Sequence, residues 1–175
     1  MSRPVTSKHI LLYAASEADA DVLYATGFFA PVPFVFIRTA AGRRIYVMSD
    51  LEIDRARAQS NAHEVRAMSH YAELARKRLR RTPAPGDTIA EVLRELRIRR
   101  VEVPSGFSCG VADRLRSHGI TVHAAEGPLF PGRLRKSANE VAHIPSAMRA
   151  TEAGMQRAID LLSRARVRRG WVMLE

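Results

Sequence analysis

Apolar and polar residues along this chain change rhythm several times, and each change marks an element. Residues 9–15, HILLYAA, form a short apolar run between polar neighbours, the pattern of a buried strand. Ser16 is placed to cap a short helix through Asp21, Val22 and Leu23 that ends near Gly27. After the stiffening Pro31 and Pro33 comes PFVFIRT (33–39), apolar on both faces. With RIYVMS (44–49) it predicts a hairpin whose loop contains Gly42. Asp50 begins LEIDRARAQS, a short helix, and HEVRAMS (63–69) reads as a further strand. YAELARKRLRR then sets Tyr71, Leu74, Ala75 and Leu79 on one helical side and arginines on the other. TPAPGDT (82–88) reads as a loop, with Thr88 and Glu91 spaced as a capping box for a helix whose stripe is Ile89, Val92, Leu93 and Leu96. VEV (101–103) is a strand, Val111 to Ser117 a helix stopped at His118-Gly119, and ITVHA (120–124) a last strand. GPLFPG (127–132) is a rigid loop.

Beyond it, RLRKSANEVAHI (133–144) opens a long helix. Ser137 and Glu140 form an S-x-x-E capping box, and Val141, Ile144, Met148, Met155, Ile159 and Leu162 follow at helical spacing. Pro145 interrupts this pattern. An interior proline costs on the order of 3 kcal/mol, so the helix is expected either to kink there or to restart at Ser146. Strands alternating with helices, plus one hairpin, predict an α/β fold: a layered domain with a mixed β-sheet flanked by helices, followed by a C-terminal amphipathic helix. The Pro/Gly loop places the boundary so that residues 1–131 form one domain and 132–175 a second segment.

Composition narrows the picture only a little. The chain has 175 residues, 46% hydrophobic and 26% charged, as expected for an ordinary globular core. No run of about 18 apolar residues exists, so no membrane partner is expected. The basic start before Ile10–Ala15 is better explained by a strand leading into a helix than by a signal peptide. A single cysteine, Cys109, excludes an intramolecular disulfide framework and fits a reducing cytoplasm. The net charge of +10 brings nucleic acid into consideration. However, the runs RKRLRR (76–81), RIRR (97–100), RLRK (133–136) and RARVRR (164–169) lie mostly at helix ends, where arginine complements the helix dipole. No aromatics are interleaved with them, so a solvated face is favoured over a nucleic-acid footprint.

Motifs that would carry chemistry are incomplete. His63-Glu64 begins an H-E-x-x-H zinc pattern, but Ala67 stands where the second histidine belongs. GPLFPGRL (127–134) has a phosphate-loop frame with Arg133-Leu134 in place of Lys-Ser/Thr, and its two prolines remove amide donors. Cys109 sits near a predicted helix start, which makes a thiol nucleophile one alternative, with packing the plainer reading. Acidic pairs at Asp19/Asp21, Asp50/Glu52/Asp54 and Glu91/Glu95 fall at helix starts and exposed helical faces.

Two stretches together resemble a known family. DVLYATGF (21–28) looks like the signature near the start of the creatinase-type N-terminal domain, carried here by Tyr24, Thr26, Gly27 and Phe28. KSANEVAHI (136–144) is similar to the segment that opens the first helix of the pita-bread catalytic domain in Xaa-Pro aminopeptidases, prolidases and creatinase. It is carried by Lys136, Ser137, Glu140 and Ile144. The resemblance spans roughly residues 9 to 165 and implies a ribonuclease H-like N-terminal fold. It further implies a parent metallopeptidase that hydrolyses a peptide bond before proline, using two divalent ions (manganese, cobalt or zinc) held by two Asp, one His and two Glu. All five ligands would lie beyond residue 175, so no catalytic or metal residue and no cofactor is expected in this segment. Its expected role is to shape substrate access and to build a homodimer. Its partners would be a second copy, its own catalytic domain and the parent's peptide substrate, and Met148, Met155, Ile159 and Leu162 would form the dimer stripe. Leu174-Glu175 is compatible with a vector-derived junction, so an engineered truncation and a natural end both stay open. A stand-alone basic α/β module that binds nucleic acid is the alternative function.

Overall fold

The computed structural model describes residues 8–173, so Leu174-Glu175 and residues 1–7 lie outside it. The chain divides into two compact units, Met1–Pro131 and Gly132–Glu175. The first contains β1 (Ile10–Ala14), α1 (Ala20–Thr26), β2 (Phe34–Arg38), β3 (Arg44–Met48), α2 (Ile53–Gln59) and β4 (Glu64–Ala67). These are followed by α3 (Met68–Leu79), α4 (Pro85–Glu95), β5 (Arg100–Val103), α5 (Cys109–Ser117) and β6 (Thr121–Ala124). Among the described residues the strands make one six-stranded mixed sheet in the order β4-β3-β2-β1-β5-β6. β2 runs antiparallel to β1 and β3, whereas β1–β5, β5–β6 and β3–β4 are parallel pairs. The layered α/β fold expected from the alternating pattern is therefore present.

β2 is apolar on both faces because the sheet is covered on both sides. Val35 and Ile37 join Leu11, Ile45 and Val47 against Tyr71 of α3, Ile89 and Leu93 of α4 and Leu115 of α5. Phe34 and Phe36 point the other way and join Ile10, Leu12, Tyr46 and Met48 against Val22 of α1 and Ala56 of α2, with Phe28 and Phe130 between. Register keeps these sets apart, with Val35 opposite Val47 and Ile37 opposite Ile45. A one-residue slip would exchange the two cores.

Several local expectations are corrected. Ser16 does not cap α1; the N-cap is Asp19, whose Oδ1 accepts from the amides of Asp21 and Val22 at 2.9 Å. Ser16 is buried instead, and its Oγ accepts from the Ala30 amide at 2.7 Å, tying the segment before α1 to the loop between α1 and β2. The stretch 63–69 is strand only over β4 and turns directly into α3 at Met68. TPAPGDT is only half loop, because α4 begins at Pro85. Proline is suited to a first turn, where its missing amide would have had no helical partner. Asp87, not the Thr88/Glu91 pair, serves this helix start: its Oδ2 accepts from the Ala84 amide at 2.9 Å. Thr88 and Glu91 lie buried within the helix.

In the second unit α6 (Ala138–Arg164) is one continuous helix. Ser137 Oγ accepts from the Glu140 amide at 3.3 Å, and Glu140 Oε2 accepts from the Ser137 amide at 2.8 Å, so the expected capping box is formed. The helix passes through Pro145 and does not restart at Ser146, which corrects that alternative. Proline here sits past the first turn, so the helix forgoes the bond that an amide at this position would donate to Val141 C=O. Pro145→Ala should raise the far-UV helix signal and stabilise this helix by up to about 3 kcal/mol, as read by circular dichroism on heating. The run after it is not simply a charged face. β7 (Arg166–Arg168) and β8 (Trp171–Met173) form an antiparallel hairpin. Its turn is Arg169-Gly170, with φ of 49° and 80°, the two positive values that a two-residue type I′ turn requires.

Candidate functional site

The first motif builds a turn. Tyr24 and Thr26 belong to α1, and Gly27 ends that helix in the left-handed region at φ 59°, with its amide donating to Leu23 C=O at 2.8 Å. Thr26 is buried; its hydroxyl donates to Val22 C=O at 2.7 Å and accepts from the Phe28 amide at 3.2 Å. This directs Phe28 inward, where it is 2% exposed and meets Phe34 edge-on at 6.3 Å between ring centres. The Arg55 guanidinium covers its other side, 4.2 Å from the ring centre. Tyr24 stays 43% exposed, with its ring 6.0 Å from that of Phe130. Tyr46 closes the turn from below. Its hydroxyl donates to Asn61 Oδ1 at 2.5 Å and lies 3.4 Å from Thr26 C=O, while Asn61 Nδ2 donates to Ala25 C=O at 3.2 Å. Burial pushes the Tyr46 phenol far above its ordinary pKa, so it remains a neutral donor.

The second motif lies in the other unit. Ser137 and Glu140 close the capping box described above, hydrogen bonds to Ser137 hold the Glu140 carboxyl below its usual pKa, and Lys136 is exposed. Ile144, Met148, Met155, Ile159 and Leu162 are all exposed along α6. Thus each motif is brought together within itself, and both consist of chain-turning and capping contacts.

The densest electrostatic cluster was not singled out from the sequence. Asp87 is fully buried, with Arg81 at 2.9 Å, His118 Nε2 at 2.7 Å and Arg114 at 3.7 Å, in addition to the Ala84 amide. Burial pushes its carboxyl up, but the hydrogen bonds from His118, Ala84 and Arg81 outweigh this and leave it below its usual pKa. One turn on, buried Glu91 meets Arg78 at 2.9 Å and Arg94 at 2.5 Å, and is likewise held low. Most of the run RKRLRR is therefore consumed internally: Arg76 and Lys77 pair with Glu73, Arg78 with Glu91 and Arg81 with Asp87. The signal in the sequence is proline followed two residues later by aspartate, a first-turn pattern set within a stretch that otherwise has loop composition.

The remaining candidates do not assemble into a catalytic arrangement. His63 Nδ1 accepts from the Arg44 amide at 3.2 Å, and Glu64 is taken by Arg43 and Arg66. Cys109 is exposed at the first position of α5. Among the described residues no three His, Cys, Asp or Glu side chains come together in a way that would hold a metal, so a two-metal centre finds no ligand set there. No helix of the described residues is long and apolar enough to cross a membrane.

A mixed sheet with helices on both faces, followed by a separate capped helix and hairpin, defines an architecture found in proline-specific peptidases. The X-Pro aminopeptidase from Thermotoga maritima matches 90% of this chain and 42% of its own, with a TM-score of 0.67 at 14% identity. The Xaa-Pro dipeptidase from Bacillus anthracis matches 91% of this chain and 40% of its own, with a TM-score of 0.67 at 15% identity. The prolidase from Pyrococcus furiosus matches 91% and 41%, with a TM-score of 0.64 at 12% identity. The chain thus spans about two-fifths of the length of these structures, and the likeness is one of fold. No family model matches the sequence, and no curated protein does.

Proposed function

We propose that this chain is the non-catalytic N-terminal part of an Xaa-Pro aminopeptidase- or dipeptidase-like metallopeptidase, with residues 1–131 as its N-terminal domain and 132–175 opening the catalytic domain. The observation that carries this reading is the fold match. It covers about nine-tenths of this chain and about two-fifths of the solved Xaa-Pro peptidases. The two motifs add support, because they occur in the family's order and each forms the local structure its residues suggest. In the parent, two divalent ions would supply the hydrolytic chemistry. No step of it is assigned to residues of this chain, since among the described residues no three His, Cys, Asp or Glu side chains come together in a way that would hold a metal.

The proposed role is to shape access to the parent's active site and to contribute to a homodimer in a reducing cytoplasm. The exposed apolar positions Met148, Met155, Ile159 and Leu162 on α6 support association, because an uncovered stripe of this kind favours burial against another surface. Pure protein is expected to cleave no Xaa-Pro peptide when supplied with manganese, cobalt or zinc. Joining it in frame to a segment bearing the two Asp, one His and two Glu ligands is expected to give metal-dependent cleavage. Turnover by the isolated chain would overturn the proposal.

A further inference from the structure

The chain leaves the sheet at one edge and is caught again nearer its middle. The Ala125 amide donates to Val103 C=O at 2.9 Å as the chain departs from β6, an outer strand. Phe130 is then only 7% exposed and packs against Phe36 of β2, with ring centres 6.5 Å apart. β5 and β1 lie between β6 and β2, so the chain crosses three strand spacings, about 14 Å. Residues 125–130 reach at most about 20 Å when extended, so this strap has little slack. Pro128 and Pro131 stiffen it, because each fixes its own φ.

The strap is held at its ends and not along its length. Glu126, Gly127 and Pro128 are exposed, and a side chain at Gly127 would meet open space. Beside the strap lies an open cavity of about 560 Å³, bounded by Ile10, Glu102 and the hairpin loop at Thr39, Ala40 and Gly42. Phe130, by contrast, is gripped on several sides. In addition to Phe36, the Tyr24 ring lies 6.0 Å away and the Arg38 guanidinium stands 5.3 Å from the ring centre. The first compact unit ends at Pro131, directly after this seated ring. Tyr24 is the exposed ring of the first motif, and the contact with Phe130 gives it a use that the turn at Gly27 does not require.

We infer that residues 125–131 form a latch, with Phe130 as its plug and Tyr24 and Arg38 as walls of the socket. Seated, the plug fixes the point at which the chain leaves the first unit. Withdrawn, it lengthens the free tether before Ser137 from residues 131–136 to residues 126–136 and opens the cavity beside it. The latch concerns the path of the chain and does not depend on the parent's chemistry. The test is limited trypsin digestion of the full chain under native conditions. Cleavage after Arg133, Arg135 or Lys136, identified by the masses of the N-terminal fragments, follows the population in which this segment is free. Phe130→Ala should speed those cuts at least about tenfold, and Phe130→Leu should stay close to the wild-type rate. Tyr24→Ala should speed them about threefold or more, with only a small shift in the urea midpoint. Ile89→Val, in the core on the opposite face of the sheet, should leave them unchanged. Wild-type cleavage rates in Phe130→Ala or in Tyr24→Ala would overturn the latch. Equal acceleration by Ile89→Val would do so too, since general loosening would then account for the effect.

Discussion

Asp87→Ala is expected to destabilise the first unit by about 3–5 kcal/mol in urea unfolding, because it removes one buried carboxylate that serves three hydrogen-bond donors and one further arginine. Asp87 joins the α3–α4 connection, through Arg81 and the Ala84 amide, to the end of α5, through His118 and Arg114. Both arginines are nearly half exposed and would regain water, but the Ala84 amide and the His118 ring would lose their acceptor inside the protein. The pH dependence has a defined sign. Asp87 is held below the usual carboxyl pKa in the folded chain, so its contribution is complete above about pH 5. It declines as pH falls through the ordinary carboxyl range toward the lower folded value. Asp87→Asn should therefore be less stable at neutral pH yet lose less stability between about pH 5 and pH 2. The slope that remains would include Glu91, which Arg78 and Arg94 hold low in the same way.

This cluster also shows where the sequence was legible and where it was not. Short apolar runs mark β1 to β3, because burial on both faces leaves little choice of residue. The helix start at Ser137 was equally clear, since its box residues have no other local use. The same S/T-x-x-E spacing at Thr88 and Glu91 was misleading. A proline at the first helical position moved the start of α4 earlier, and both residues were drawn into the interior. Charge runs were read as solvated faces because sequence spacing shows only neighbours within one helix. The partners of Arg78 and Arg81 lie on the following helix, 13 and 6 residues away. The β7–β8 hairpin is hard to read for a related reason: its strands are three residues long, β7 lies inside an arginine run, and only Arg169-Gly170 marks the turn.

Phe28→Ala is expected to cost about 3–5 kcal/mol, whereas Tyr24→Ala should cost well under half of that, both read as shifts in the urea midpoint. The contrast separates two explanations for a motif that both residues share. If the motif were retained for a ligand, the exposed tyrosine would be its most sensitive member and the buried phenylalanine an ordinary core residue. The structure gives the opposite weighting. Phe28 fills the space between Phe34 and the Arg55 guanidinium, and its amide is held by the Thr26 hydroxyl. Truncating it leaves a cavity beside Phe34 and strips Arg55 of its aromatic face. Gly27 belongs to the same device, because a side chain at φ 59° would strain the turn that aims Phe28 inward, although open space surrounds the position. Gly27→Ala should therefore cost about 1 kcal/mol through backbone strain alone. A loss for Tyr24→Ala that matches or exceeds the Phe28→Ala loss would show that the exposed face, not the turn, holds this region together.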